Sequence, residues 1–241
     1  MADAASHVVD TTFLHPVCSA ADVDLFTQRA AILRALRDAL PAFHGRVLDI
    51  GCGGMPYRSL VTAAPSRANS YVGLDLGRSE YDQPDVTWDG ASMPFGDGTI
   101  DSAFATEVFE HCPDPEGVMR EAHRVLKPGG MLFFTVPFLW PLHCVPHDQY
   151  RYTPFALERH LQGAGFERIE IRALGGWDAS LAQMLGLWVK RRWMAPWQRR
   201  VLTRALAPLV GWLVRSDQPP PDFRHDGMIT GLSGRAFKAG A

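Results

Sequence analysis

Nine residues, Arg46-Val47-Leu48-Asp49-Ile50-Gly51-Cys52-Gly53-Gly54, constrain this chain more than any others. A short apolar run ends in an acid and drops straight into glycines. A buried parallel strand delivers its C-terminal end to a ligand in this way. Glycine reaches positive φ without a Cβ clash and lets the backbone come close to a bound group. The N-terminus of the following helix then turns its free N–H groups into the same crevice. Taken alone, such a turn suits a dinucleotide, a phosphate or an adenosine-containing cofactor.

The rest of the chain has the rhythm this turn requires. Apolar runs predict strands at 46–50, 70–75, 85–88, 101–106, 130–136, 166–172 and 229–236. Helical spacing predicts helices at 21–40, 55–64, 115–125 and 154–163, after a loosely ordered start over 1–20. Alternating strands and helices make an α/β fold with a doubly wound parallel sheet, whose ligands sit at the C-terminal strand ends. The 241 residues suffice for one large domain, or one domain with a lid. A net charge of −2 provides no global field for nucleic acid. The four cysteines, Cys18, Cys52, Cys112 and Cys144, form no CxxC pair, so neither a zinc signature nor a disulfide framework is indicated. The start lacks a signal-peptide pattern, and no apolar run reaches the ~18 residues of a membrane span. The expected place is therefore the cytoplasm.

Residues 178–215 break the rhythm. Trp188, Trp193, Trp197 and Trp212 stand beside Lys190, Arg191, Arg192, Arg199, Arg200, Arg204 and Arg215, with Asp178 the only acid. The plainer expectation is an amphipathic helical cap, inserted over the site, whose Trp and Leu residues pack on the sheet. The same composition suits a homodimer contact, or a peripheral element at the inner membrane face, with rings at headgroup depth.

Acids fall where sheet geometry brings them into one crevice. Asp75 ends Tyr71-Val72-Gly73-Leu74-Asp75 and can accept from two vicinal ribose hydroxyls. Asp89-Gly90 follows the next strand and can accept from an exocyclic adenine amine, with Met93, Pro94 and Phe95 as apolar surface for the base. With these residues in place, the chain resembles the class I S-adenosylmethionine-dependent methyltransferases, type 11 branch, over about residues 40–175 and the final strand. Four blocks in order carry the likeness: Val47–Gly54, Tyr71–Leu76, Asp89–Asp101 and Leu126–Pro137. It implies S-adenosylmethionine as cofactor. It further implies that Asp49, Gly51, Cys52 and Gly53 frame the methionine and ribose end, that Asp75 and Leu76 meet the ribose, that Asp89 and Gly90 meet the adenine, and that Glu107 begins the post-strand segment facing the transferable methyl. One departure is Met55, which stands where the family has its third glycine, so a reshaped turn is expected.

A sulfonium methyl needs an aligned acceptor and, for a hydroxyl, a base. His111 follows Glu110 after the fourth strand. His143, His147, Asp148 and Arg151 lie in the proline- and aromatic-rich run 137–153, after the strand 130–136. His143 or His111 is the expected base. Asp148 would orient it, and Arg151 would hold an anionic group on the acceptor. The plainer alternative is an Asp148–Arg151 ion pair fixing the loop on the helix at Thr153-Pro154. A metal set of His143, His147 and Asp148 fits by residue type but matches no ligand spacing, so no metal is expected. The pattern His143…Pro146…Asp148…Arg151-Tyr152-Thr153 resembles type 11 methyltransferases of bacterial glycan and secondary-metabolite clusters, which implies a small-molecule or glycosidic acceptor.

The expected architecture is one Rossmann-like domain: an N-terminal helical region (1–40), a cofactor-binding core (41–175), a helical cap (176–222) and a final antiparallel strand (223–241) completing seven strands. The expected function is O-methylation. The alternatives are a non-catalytic methyltransferase-like partner subunit and an NAD-binding enzyme, which would want a third glycine and a hydride-transfer domain.

Overall fold

The computed structural model describes residues 10–77, 84–224 and 227–240, so the expected loose start lies outside the described residues over 1–9. The chain divides into two compact units. One comprises the stretch up to Ala35, Phe138–Trp140 and Arg172–Gly231; the other comprises Leu36–Pro137, Pro141–Ile171 and Leu232–Ala241.

Seven strands form a single sheet: β1 (His44–Ile50), β2 (Arg67–Leu76), β3 (Val86–Trp88), β4 (Ile100–Thr106), β5 (Leu126–Pro137), β6 (Ile169–Ala173) and β7 (Gly231–Phe237). Their order is β3-β2-β1-β4-β5-β7-β6, and β1 through β5 pair in parallel. The last strand runs antiparallel. Its carbonyl of Phe237 takes the Glu167 N–H, while that of Gly231 takes the Leu174 N–H. Strand order reverses between β1 and β4, and an open α/β sheet has its ligand crevice at that switch point. Asp49 lies there, the next-to-last residue of β1, opposite Gly73 on β2 and Phe104 on β4.

The central strands form because their apolar runs bury on both faces. Val47, Leu48 and Ile50 are fully buried, and Phe43 meets Phe104 edge to face at 5.7 Å. The helices are α1 (Phe26–Ala39), α2 (Arg58–Val61), α3 (Pro115–Val125), α4 (Pro154–Gly163), α5 (Trp177–Arg191) and α6 (Pro196–Ser216). Asp114 caps α3 through the Gly117 N–H at 2.9 Å, and Thr153 caps α4 through the Ala156 N–H at 3.3 Å, each with proline in the first turn. The helix predicted over 55–64 shrinks to α2. Its first residues are spent on the turn after β1, where Met55 N–H bonds back to Cys52.

In the first unit, α5 and α6 bury one face each around Val23, Ala182, Val189, Val210 and Leu213. Asp217, just past α6, caps α5 by accepting the Gly176 and Ala179 N–H groups at 2.8 and 2.9 Å. The opposite faces are apolar yet exposed. Trp177, Leu181, Met184 and Trp188 follow a helical stripe on α5. Trp197, Val201, Leu209 and Trp212 do so on α6, and Trp193 between the helices is 95% exposed. The sequence expectation that the Trp residues pack inward therefore does not describe these side chains. Among the described residues no helix is long and apolar enough to cross a membrane.

Candidate functional site

The turn after β1 is left-handed at three alternate residues: Gly51 (φ 67°), Gly53 (φ 49°) and Met55 (φ 52°). The expected reshaping thus takes a specific form. Methionine adopts the conformation that the third glycine would, at a cost of roughly 1–2 kcal/mol, and its sulfur lies where a Cβ on Gly73 would come within 2.8 Å. Gly51 is required for a second reason, because a Cβ there would come within 2.6 Å of Val108 Cγ2. The Gly51 and Cys52 N–H groups both bond to the Leu74 carbonyl, which ties the turn to β2.

Two acids stand on neighbouring strands. Asp49 is buried and accepts a short hydrogen bond from the Tyr71 hydroxyl. Burial pushes its carboxyl up to about 8 against the pull of that bond, and the nearby Asp75 charge pushes the same way. Asp75 ends β2; it accepts the Gly53 N–H at 2.7 Å through Oδ2 and the Leu76 N–H at 2.7 Å through Oδ1. Burial thus favours the neutral form of Asp49, and Asp75 anchors the glycine turn from the end of β2. The buried thiol of Cys52 is pushed up to about 12 by desolvation and the surrounding acids, which disfavours the thiolate.

Asp89 closes a small turn, with Oδ1 accepting the Ala91 and Ser92 N–H groups at 2.8 and 2.9 Å, and Gly90 beside it has φ 86°. Of the apolar surface expected for a base, Met93 is buried in the core, whereas Pro94 is exposed and Phe95 lies half-buried beneath the Arg46 guanidinium at 5.5 Å. Arg58 pairs with Asp85 at 2.7 Å and lies over the Tyr71 ring.

Beyond β4 and β5, two segments far apart in sequence meet. Glu107 follows β4 with φ 57°, and its Oε1 accepts the Thr135 hydroxyl at 2.8 Å. A non-glycine residue in that region costs about 1–3 kcal/mol, a strain that concentrates at functional sites. The Gln149 and Tyr150 N–H groups both donate to the Glu110 carbonyl, and the Tyr152 hydroxyl donates to the Phe109 carbonyl at 2.9 Å. These bonds close the loop 141–153 over the turn Phe109–His111.

His111 and His143 stand ring to ring, with centroids 4.7 Å apart at 71°. Each has its Nδ1 against an acceptor: the His147 carbonyl at 3.2 Å for His111, and Asp148 Oδ2 at 3.3 Å for His143. An oxygen that can only accept fixes Nδ1 as the donor, so in the neutral rings Nε2 carries the lone pair. Asp148 also accepts the His143 backbone N–H at 3.1 Å and pairs through both oxygens with Arg151 at 2.6 and 2.8 Å. The Arg151 guanidinium holds the Asp148 carboxyl far below the usual carboxylate range. Both sequence readings of this pair therefore meet in one arrangement. The ion pair fixes the loop, and its carboxylate orients the histidine. Arg151 is occupied by Asp148 and the Pro141 and Tyr150 carbonyls, which leaves its expected role as an anion holder without support.

Sequence reasoning singled out neither Glu110 nor Cys144. Glu110 is fully buried, and among the described residues neither carboxyl oxygen has a hydrogen-bond partner. Desolvation, then the Glu107 charge, raises it well above the usual carboxylate range. Cys144 has φ 49°, and its sulfur falls within 4.8 Å of a ring nitrogen of both His111 and His143. His147, offered by sequence as a third ligand type, contributes only its carbonyl. Nothing in residue spacing signals this set, because its members come from two loops that only the sheet brings together.

With this geometry in view, comparison with known proteins is informative. The Methyltransf_11 family, described as a methyltransferase domain, matches residues 48–134. Ubiquinone biosynthesis O-methyltransferase of Pseudomonas aeruginosa (strain LESB58) is 34% identical over 106 residues, which is 37% of this chain and 43% of that protein. The chain thus spans less than half the length of the curated relatives it matches. Among solved structures, the [4+2]-cyclase SpnF has a TM-score of 0.56 at 21% identity, covering 90% of this chain and 84% of its own. An S-adenosylmethionine-dependent methyltransferase from Archaeoglobus fulgidus has a TM-score of 0.54 at 16% identity, covering 88% and 94%. Likeness at that identity establishes the fold.

Proposed function

We propose methyl transfer to an oxygen of a small-molecule acceptor as the reaction of this chain, a member of the class I, type 11 family of S-adenosylmethionine-dependent methyltransferases. The donor set after β1 and β2 fits that cofactor: a glycine turn with left-handed residues for close approach, and an acid at the end of β2 for vicinal hydroxyls. When bound, S-adenosylmethionine supplies a methyl already activated on a sulfonium.

What remains for the protein is alignment and removal of one proton. Asp148, fixed by Arg151, holds the His143 Nδ1–H, so Nε2 faces the reaction as a lone pair. With a methyl donor bound, His143 Nε2 would take the proton of an acceptor hydroxyl while the donor supplied the methyl. The Asp148–His143 pairing is the observation that carries this reading. A glycosidic or other hydroxylated acceptor suits the polar loop 141–153. The likeness to a ubiquinone O-methyltransferase supports oxygen as the target. The direct test is product analysis with labelled cofactor and a panel of hydroxylated acceptors, comparing wild type with His143→Ala.

A second reading concerns the first unit. The exposed stripes of α5 and α6 carry Trp177, Trp188, Trp197 and Trp212, with Trp193 between them, in a segment with seven basic residues and one acid. Apolar rings beside arginine complement an anionic bilayer surface. Lys190 and Arg191 are tied to the Ala21 carbonyl and Asp24, while Arg200 and Arg204 are exposed. Flotation with anionic vesicles is expected to carry the protein upward at low salt and release it at high salt, with Trp193→Ala and Trp197→Ala together weakening the effect. Concentration-dependent dimerisation without vesicle binding would contradict this reading.

A further inference from the structure

We infer that His111, His143 and Cys144 form a binding site for a borderline-soft divalent ion of the zinc type, backed by the buried carboxyl of Glu110. One ligand atom from each of the three lies within 4.8 Å of the others. Tetrahedral ligands at zinc bond lengths of about 2.0–2.3 Å stand roughly 3.3–3.8 Å apart, so a closure of about 1 Å among the three completes the set. Glu110 Oε1 is already 3.6 Å from His111 Nε2, within that range.

Three further features fit an ion. Both imidazoles present Nε2 with Nδ1–H tied behind, one to a carboxylate and one to a carbonyl, the arrangement by which metal-binding histidines are held in orientation. Glu110 has no hydrogen-bond partner for either oxygen among the described residues, an expensive condition that an adjacent dication relieves. Cys144 is held in the left-handed region, a strain that typically marks a clamp. The donor set chooses the class: two imidazoles and a thiol suit zinc and its neighbours, whereas magnesium and calcium want oxygen. On binding, the thiol proton leaves to solvent and sulfur ligates as thiolate. The inference stands on ligand geometry and needs no methyl donor. It meets the methyl-transfer reading at one atom, since His143 Nε2 cannot at once hold a metal and accept a proton. Proton uptake there belongs to the metal-free chain.

The test is titration of the chelator-stripped full chain with Co2+ alone, followed by absorbance. The expected result is one ion per chain, tetrahedral-type visible bands and a thiolate-to-cobalt charge-transfer band, all displaced by Zn2+. Cys144→Ser, in an exposed turn, is expected to fold as wild type by circular dichroism and to lose the charge-transfer band. Asp148→Asn is expected to weaken binding ~10–100-fold. Absence of the cobalt spectrum in wild type would overturn the inference, as would a charge-transfer band that survives Cys144→Ser and so arises at another cysteine. Binding can fail while S-adenosylmethionine still binds, and the reverse, so the two readings fail separately.

Discussion

His143→Ala is expected to lower kcat for a hydroxylated acceptor about 10²-fold and to leave S-adenosylmethionine affinity unchanged. General-base catalysis contributes ~10²–10⁴-fold, and the lower end applies because alignment supplies most of the advantage when the leaving group is a sulfonium. His143 meets Asp148 and the His111 ring, so cofactor binding is the internal control. Asp148→Asn is the sharper variant. It keeps the side-chain shape but removes the charge that fixes the Nδ1–H, and an amide facing Nδ1 admits the wrong tautomer. It also leaves Arg151 without its bidentate partner. The expected loss is about 10–100-fold in kcat, with KM for the acceptor rising as the loop loosens. Stopped-assay rates with labelled cofactor check both. Unchanged kcat in His143→Ala would mean that the proton leaves by another route, with Nε2 of His111 the next candidate.

Asp75→Ala is expected to weaken S-adenosylmethionine binding ~10–100-fold. Charge-assisted hydrogen bonds contribute about 1.5–3 kcal/mol, and each 1.4 kcal/mol is tenfold in Kd. The magnitude rests on the contrast between the two acids. Burial pushes the Asp49 carboxyl up to about 8 and the Tyr71 hydroxyl already occupies it, whereas Asp75 ends β2, where vicinal hydroxyls would meet it. Asp75 also holds the Gly53 N–H, so alanine acts twice: on the ligand and on the turn. Asp75→Asn separates these effects, since its amide oxygen keeps an acceptor for Gly53. An asparagine variant as weak as alanine assigns the loss to charge. One as strong as wild type assigns it to the turn. Calorimetric Kd values for the three proteins decide, with unfolding midpoints to register any loosening.

The sheet was legible because its strands are apolar on both faces and end in acids or glycines, a pattern that only a covered parallel sheet tolerates. Val47–Ile50 and Met131–Val136 illustrate this. Caps were legible for the same local reason, as Thr153-Pro154 shows. Other features depend on chain segments that sequence spacing does not connect. Glu110 is buried in a turn that the Gln149 and Tyr150 N–H groups, some forty residues on, close over by bonding its carbonyl. The pairing of His111 with His143 crosses two loops. The helical period of Trp177, Trp188, Trp197 and Trp212 is the same whether that stripe packs inward or faces solvent, and only the buried stripe around Ala182 and Val210 settles the direction. Met55 in a left-handed slot was visible as a departure, but residue type alone did not reveal that the backbone would keep a glycine's conformation.

The fold also accommodates chemistry other than methyl transfer, as its likeness to a protein named a [4+2]-cyclase makes plain. The crevice at the ends of β1 and β2 is therefore where the account is most exposed. Calorimetric titration of the full chain with S-adenosylhomocysteine, beside NAD as a control, is the most direct measurement. One S-adenosylhomocysteine is expected to bind per chain, more weakly in Asp75→Ala, with no heat from NAD. Binding of NAD with no response to S-adenosylhomocysteine would contradict it.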